Sequence, residues 1–506
     1  MLLHGIKEGN ERKMQNTKLS TVRHQVKDHV EEYRFLLKPT LILSAIYLVA
    51  ISAILRANFY YDDDIARALK GFTGWGFSRY LSNFLSQFVH ASTYLSDVSP
   101  LPQIIAVFLT ALASAIAVYL ITGEEKPSFW HLIAAIPIGL SPYFLECLSF
   151  KYDSPYMALS VLFSIAPLLF CNGNWIVYVL CTVCGMLGMC TTYQASSGIF
   201  PMLVIVMGIS RWVKGEDTRK ILRFYAVSAT GYILGMLLFR TVLMTEYIDY
   251  ASTTAASGSA LIPCAVSNYK KYIARFLIGY KPEWLAVTFL ICVCFLVTAV
   301  SQSKKNKFLT FVFTGLATLI LFLLSFGVYP FLTSPLFAPR AMYGIGCFVA
   351  FLGIFATSKA PKAYFAKAAC LILSWFFFTF SFTYGNALSV QAQYTDFRIT
   401  EAIDDLIECD TLSSDEEVTL QITGTIGYSP VIENMLEEFP IIKSLVPVTF
   451  QGDGWWGEYG IRFYYGLPEM KFADTYDPPD REMTMITDNY LHTIWEDDNY
   501  IWIDLH

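Results

Sequence analysis

Long apolar segments recur along this 506-residue chain, and they constrain its fold more than any other feature. A helix needs about 20 apolar residues to cross a bilayer, and the segments have about that length. Residues are 55% hydrophobic and 15% charged, whereas soluble proteins carry about 25% charged residues and could not bury so much apolar surface. The sequence therefore predicts an α-helical polytopic membrane protein. About eleven spans are expected, near residues 36–56, 101–121, 129–146, 156–171, 175–191, 195–212, 222–244, 284–301, 308–327, 341–357 and 364–386.

Basic residues predict the orientation, because Lys and Arg concentrate in cytoplasmic loops. They are abundant in the N-terminal tail, 1–35, and in three connections on the same side, 211–223, 303–307 and 358–367. The tail has no apolar segment typical of a cleaved signal peptide. We therefore expect a cytoplasmic N-terminus and, with an odd number of spans, an extracytoplasmic C-terminus. No basic stripe indicates a nucleic-acid partner.

The composition changes after the last apolar segment. Residues 387–506 are acidic, and strand-like segments such as EVTLQITG and YIWIDL follow a helix-like one, with turn signals between them. This pattern predicts a small α/β lobe on the outer face. The expected domains are a cytoplasmic tail (1–35), a transmembrane domain (36–386) with its first outer loop at 57–100, and the extracytoplasmic lobe.

Three consecutive aspartates, Asp62, Asp63 and Asp64, follow the first predicted span in the segment NFYYDDDIARALKGFTGW. If a helix begins here, Asp63 and Asp64 share a face with Arg67. Carboxylates this close cannot all ionise comfortably, so one has a raised pKa and can serve as a base. The alternative is an acidic helix N-terminus paired to Arg67. The pattern alone leaves both interpretations open.

Other polar residues lie at the predicted outer ends of spans. Arg79 opens the amphipathic segment SRYLSNFL, typical of a helix in the headgroup plane. Its guanidinium binds either a substrate phosphate or only the phosphates of surrounding lipid, and the same alternatives hold for Arg340. The remaining candidates for substrate binding are Lys151 and Asp153, in a turn with Glu146, and Tyr193 and Gln194 in another turn. Simple solvation is the alternative for these turns.

The sequence motifs of several other reaction classes are absent from the chain. The chain contains no Walker A loop, GxSxG elbow or Rossmann fingerprint, which argues against ATP-driven transport and serine hydrolysis. Only His90, His492 and His506 are expected outside, too few and too scattered for a zinc site, so no metal site is predicted. In the tail, the aromatic and acidic segment 451–460, QGDGWWGEYG, suits either sugar rings or an interfacial tryptophan anchor.

The first outer loop resembles the GtrII-type glucosyltransferase family of bacterial membrane proteins. The matching segments are YDDDIAR, GFTGWGFSRYLSNFL and DVSPLPQ. The family pattern of two aspartates and a following arginine corresponds to Asp63, Asp64 and Arg67, with Arg79 as the later arginine. The resemblance implies a GT-C-like enzyme of the bacterial cytoplasmic membrane. Such an enzyme moves a sugar, typically glucose, from a polyprenyl-phosphate donor to a surface polysaccharide such as O-antigen on the outer face.

This reaction needs a base for the acceptor hydroxyl and a cation for the phosphate leaving group. The base is expected to be Asp63 or Asp64, with the other orienting it, and Asp62 is left without a role. The candidate phosphate ligands are Arg67, Arg79 and Arg340. Direct attack inverts the anomeric centre, whereas retention needs a second carboxylate, for which Asp153 is available. A divalent cation between the aspartates and the phosphate is compatible with the pattern but not required.

Two other functions use a similar topology. A flippase or transporter of lipid-linked sugars is expected to place charged residues and broken helices at the middle of the membrane, whereas here the charges gather at one face. A polysaccharide polymerase or ligase shares the lipid substrate and differs in its acceptor.

Overall fold

The computed structural model describes residues 33–71, 75–245, 254–359, 363–413, 417–452, 456–464, 471–473 and 477–506. Most of the predicted cytoplasmic tail therefore lies outside the described residues. Helices α1 to α17 are Leu37–Ala50, Ser52–Ala57, Asp64–Lys70, Tyr80–Val89, Leu101–Thr122, Phe129–Ala135, Pro137–Leu140, Pro142–Ser149, Ser154–Ile165, Trp175–Cys190, Ile199–Val213, Thr218–Leu238, Leu261–Gly279, Pro282–Gln302, Lys307–Leu324, Gly344–Lys359 and Tyr364–Leu406.

Several of these helices identify a membrane protein by their length and apolar composition. Within the described residues, six helical segments are long and apolar enough to cross a bilayer. They are Leu101–Thr122, Gln194–Val213, Thr218–Leu243, Pro282–Gln302, Lys307–Leu324 and Tyr364–Leu406. The prediction of a mostly helical membrane protein is confirmed, and the count of about eleven spans stays a prediction.

The other predicted spans correspond to shorter or interrupted helices. Phe129–Leu140 and Pro142–Ser149 form one pair bent by 58°. The bend falls at Ser141, whose backbone is extended ahead of Pro142, as the residue before a proline prefers. Leu37–Ala57 is interrupted at Ile51. Three apolar helices of 10–17 residues complete the set, Ser154–Phe170, Trp175–Cys190 and Gly344–Ser358.

The segment 245–283, expected to be an outer loop, contains the 19-residue helix α13. The buried residues Ala265, Asn268, Tyr272 and Phe276 recur at helical spacing, while Lys270 and Lys271 are exposed. This helix buries one face and leaves charges on the other, so mean hydropathy alone does not detect it.

Helix α17 packs closely against α2, the helix that precedes the loop 57–100. A side chain at Gly385 would place its Cβ 2.5 Å from the backbone of Ala53 and Ile54, so only glycine allows α17 to approach α2 this closely. The hydroxyl of Ser381 also donates to the carbonyl of Ala50 at 2.8 Å. The chain leaves α2 through Asn58, whose φ of 49° is left-handed, and enters the aspartate segment.

The tail forms a five-stranded sheet against the end of α17. Strands β1 to β5 are Thr419–Gly424, Lys471–Phe472, Thr484–Asp488, His492–Asp497 and Tyr500–Leu505, in the order β2-β1-β5-β4-β3. Strand β1 is parallel to β2 and β5, and β4 is antiparallel to β3 and β5. Helices α18 to α20 are Pro430–Glu438, Ile442–Leu445 and Trp456–Tyr464.

One face of the sheet is apolar because β-strands alternate their side chains. Leu420 pairs with Ile501 and Ile422 with Ile503 in register, and these residues pack in one core with Leu406 of α17. The predicted small C-terminal sheet is confirmed. Helix α17 continues through residue 386 to Leu406, so one helix runs from the apolar region to the sheet, where its end packs in the same core.

Candidate active site

The aspartate segment turns sharply before helix α3 begins. Asp62 has a left-handed φ of 48°, a conformation that is uncommon outside glycine and asparagine. Asp63 precedes the helix, and its side chain forms no capping hydrogen bond. Asp64 is the first helical residue. The three carboxylates therefore have different surroundings. The alternative interpretation of the segment, an acidic residue that caps the helix N-terminus, does not hold for Asp63.

Asp64 is fully buried and links the aspartate segment to the turn between α8 and α9. The backbone N–H groups of Tyr61 and Lys151 donate to its Oδ2 at 3.0 and 2.9 Å, while its Oδ1 has no hydrogen-bond partner. Burial raises the pKa of Asp64 well above its ordinary value, although these two hydrogen bonds oppose the shift. With no exposed surface, its carboxylate is not accessible to an acceptor hydroxyl.

Arg340 is held between two carboxylates. Its Nη2 lies 2.7 Å from Asp62 Oδ2, and its Nη1 and backbone N–H both donate to the carboxylate of Glu146. Glu146 is 1% exposed. Asp62, which had no role in the sequence-based prediction, is thus part of an ion-pair network, and the Arg340 guanidinium is already neutralised.

Arg67 forms a second carboxylate pair. Its Nε and Nη2 donate to the two oxygens of Asp153, each at 3.2 Å, and its guanidinium stacks on Trp75 at 4.3 Å. The local helical spacing predicted that Arg67 would pair with Asp63 or Asp64. The structure instead pairs it with Asp153, because the α8–α9 turn brings that carboxylate to the same side of α3.

Arg79 differs from both of these arginines. Within the described residues its side chain has no carboxylate partner and donates no hydrogen bond, and its Nε is buried without a partner. The guanidinium lies over the rings of Tyr193 and Phe77, at 4.9 and 5.5 Å. Such stacking positions a cation without neutralising it. Arg79 is therefore prepared to bind an anion.

The backbone beside Arg79 is in an unusual conformation and is supported by the second predicted turn. Phe77 and Ser78 have left-handed φ angles of 60° and 61°, which cost about 1–3 kcal/mol each unless surrounding contacts fix them. Gln194 supplies one such contact, since its Nε2 donates to the Phe77 carbonyl at 3.1 Å. The hydroxyl of Ser78 also bonds to Thr245 at 3.0 Å. Tyr193 and Gln194 thus shape the Arg79 site.

A third charged pair lies on the other side of the aspartate segment. Lys151 is 1% exposed, and its Nζ donates to Asp97 Oδ2 at 3.0 Å over the ring of Tyr60 at 3.5 Å. The Tyr60 hydroxyl donates to the same Asp97 oxygen at 2.8 Å. Burial raises the pKa of Asp97, but hydrogen bonds from Ser99, Lys151 and Tyr60 outweigh it and hold the pKa at about 2.

Asp63 is the carboxylate of this segment that has no partner. It is half-buried, and within the described residues its side chain accepts no hydrogen bond and forms no ion pair. The Asp62–Arg340 and Arg67–Asp153 pairs involve its neighbours on the chain. The site therefore combines one available carboxylate, Asp63, with one available cation, Arg79.

The lobe contacts the site through α20. Phe463 packs edge-on against Tyr60, with ring centroids 4.7 Å apart, and Lys70 of α3 lies 5.0 Å from the Tyr459 ring. Part of the predicted sugar-binding segment, residues 453–455, lies outside the described residues. Among the described residues, no group of three His, Cys, Asp or Glu side chains could hold a metal ion.

The site residues described above, apart from those of the C-terminal lobe, fall within residues 52–351. These residues match the glucosyl transferase GtrII family. The chain belongs to the GtrII glucosyl transferase family. The resemblance predicted from the first outer loop is confirmed. A relative from Salmonella phage P22, an uncharacterized 55.3 kDa protein in the gtrB 5' region, is 25% identical over 420 residues, which cover 79% of this chain and 84% of the relative. No solved structure matches the chain.

In this GtrII family member, sequence reasoning missed the partners that occupy Arg340, Arg67 and Lys151. Glu146 was noted in its turn, but nothing in the local pattern assigns Glu146 or Asp97 to its cation. The available signal was charge balance, since Arg67, Lys151 and Arg340 each have a carboxylate from another loop or turn as their partner.

Proposed function

We propose that this protein transfers a glucosyl group from a polyprenyl-phosphate donor to a cell-surface polysaccharide, such as O-antigen, at the outer face of the bacterial cytoplasmic membrane. Membership of a glucosyl transferase family supports the reaction class. The observation that carries the site assignment is that, within the described residues, Asp63 and Arg79 form no ion pair, whereas the neighbouring cations Arg67, Lys151 and Arg340 each pair with a carboxylate.

In the proposed step, Asp63 accepts the proton of the acceptor hydroxyl as that oxygen attacks the anomeric carbon. The bond between the anomeric carbon and the phosphate oxygen breaks, and its electron pair stays on the phosphate. Arg79 stabilises the charge that develops there. One carboxylate and one cation therefore serve the two ends of a single displacement, which inverts the anomeric configuration.

The bidentate bonds of Asp153 with Arg67 support this direct course. A retaining reaction needs a free carboxylate as nucleophile, and Asp153 is both 2% exposed and neutralised. The commitment of Asp62 to Arg340 and the burial of Asp64 also argue against a divalent cation bridged by the three aspartates. We assign charge neutralisation of the phosphate to Arg79 rather than to a metal ion.

The proposed topology is GT-C-like, with about eleven spans, a cytoplasmic N-terminus and an outer lobe. The bent pair, the interrupted helix at Leu37–Ala57 and the three shorter apolar helices supply the spans beyond the six long ones. In this arrangement the aspartate segment, Arg79 and the lobe share the outer face. An isoprenoid donor then reaches the site laterally from the bilayer.

The test uses purified protein in detergent with polyprenyl-phosphate glucose labelled in the sugar and with surface polysaccharide as acceptor. We expect the label to move to the polysaccharide from the lipid donor and not from a nucleotide sugar. Transfer from UDP-glucose without the lipid donor would refute the proposed donor. Movement of intact lipid-linked sugar across vesicles, without transfer, would support a flippase instead.

A further inference from the structure

A small pocket lies beside the aspartate segment, and none of the steps above uses it. It has a volume of ≈ 40 Å³. Among its lining residues, Asn58 and Phe59 come from the start of the first outer loop, Gln103 from the first turn of α5, and Ser149 and Lys151 from the turn after α8. Lys151 also donates its backbone N–H to Asp64. The pocket is therefore adjacent to the residues that position the proposed base.

Gln103 is buried there without a protein partner. It is 5% exposed, its Oε1 has no hydrogen-bond partner, and its side-chain amide bonds to no described residue. Leaving a buried acceptor unsatisfied is unfavourable, so such a group indicates a ligand or water in the pocket.

Lys151 also lines this pocket. An ammonium has three N–H donors, and among the described residues only the bond to Asp97 uses one of them. A hydroxyl group between Gln103 and Lys151 can donate to the amide oxygen and accept from the ammonium. The apolar lining residues Phe59 and Leu388 offer surfaces to the C–H groups of a sugar. The chemistry of the pocket thus matches a polyol.

The size of the pocket restricts which part of a sugar enters. A water-sized group needs roughly 10–15 Å³ of such space, so ≈ 40 Å³ accommodates about three such groups. This is enough for one edge of a hexose and too little for the whole ring. The anomeric carbon has to remain at Asp63, so the entering edge is the one remote from it, which carries the 4-hydroxyl and the hydroxymethyl group.

We propose that Gln103 and Lys151 form a specificity pocket that reads the 4- and 6-hydroxyl edge of the transferred hexose. This inference rests on the proposed glucosyl transfer and adds the part of the donor that is recognised. A site built to bond a hydroxyl discriminates strongly against an analogue that lacks it, because its own polar groups are then left unpaired.

The test measures kcat/KM for polyprenyl-phosphate glucose and for its 4-deoxy and 6-deoxy analogues. We expect the wild-type protein to prefer glucose over at least one analogue by about tenfold or more. In Gln103→Leu this ratio should fall toward one, mainly because glucose transfer weakens. Ser114→Ala, which changes another buried polar residue of α5 away from the pocket, should keep the wild-type ratio.

Two outcomes would refute the proposed specificity pocket and leave the proposed glucosyl transfer unaffected. One is a wild-type protein that transfers glucose and both deoxy sugars equally well, a comparison that needs no variant. The other is a Gln103→Leu protein that transfers glucose with an unchanged ratio, which means that the pocket holds only water. Failure of the wild type to transfer glucose from the lipid donor at all refutes the proposed function itself.

Discussion

Asp62 Oδ2 and Arg340 Nη2 lie 2.7 Å apart, although the two residues are separated by most of the helical domain in sequence. This ion pair joins the aspartate segment to the segment before α16. Glu146 binds the same guanidinium through Nη1. As a consequence, the three adjacent aspartates have different roles. Asp62 neutralises Arg340 and Asp64 binds backbone N–H groups, which leaves Asp63 available for chemistry.

Arg340→Gln should destabilise the protein, because it leaves the buried carboxylate of Glu146 without its charged partner. Removing one member of a buried pair costs about 3–5 kcal/mol. We expect a clear fall in Tm in detergent. The double variant Arg340→Met with Glu146→Leu should recover part of the loss, and exposed Arg219→Gln should have no effect. An unchanged Tm for Arg340→Gln would show that this pair does not stabilise the fold.

Asp64→Ala tests the proposed structural role of Asp64. The substitution leaves the N–H groups of Tyr61 and Lys151 without their acceptor, at about 1–3 kcal/mol for each buried group. Tm and activity should therefore fall together. Asp64→Asn, which retains one acceptor oxygen, should restore much of both. If Asp64→Asn abolished transfer while keeping the wild-type Tm, Asp64 would have a chemical role instead.

The sequence predicted which segments contain the candidate site residues better than it predicted which charged residues pair with each other. Hydropathy located α5, α14 and α15, and the family pattern singled out the segment with Asp63 and Asp64. The i, i+4 rule, however, paired Arg67 within its own helix, whereas Asp153 from another turn binds it. Helical periodicity describes neighbours along one element, and which turns meet depends on the packing of the whole helical domain.

Arg79→Gln should impair transfer without destabilising the protein, because Arg79 has no carboxylate partner among the described residues. Loss of a donor to the developing phosphate charge predicts a decrease in kcat of about 10²–10³. Arg79→Lys should restore part of it, since the charge remains but the planar geometry does not. Addition of EDTA should leave the wild-type rate unchanged. Wild-type activity in Arg79→Gln, or loss of activity with EDTA, would reassign the phosphate to another cation.

Asp97 predicts a specific pH dependence of stability. Its pKa is about 2, below the ordinary value of 3.8, so the folded state favours the ionised form. The stability that this provides is present above about pH 4 and is lost as the pH falls toward 2. The Tm difference between wild type and Asp97→Asn should therefore shrink between pH 5 and pH 2. A difference that is constant over this range would contradict the low pKa.

The central claim, that Asp63 is the base, is tested most directly by the transfer rate of Asp63→Asn. The side chain forms no hydrogen bond or ion pair with the described residues, so Tm should stay at the wild-type value, while removal of a general base should lower kcat about 10²–10⁴-fold. Asp404→Asn, an exposed aspartate of α17, serves as the matched control and should transfer glucose normally. A folded Asp63→Asn protein that transfers glucose at the wild-type rate would contradict the assignment.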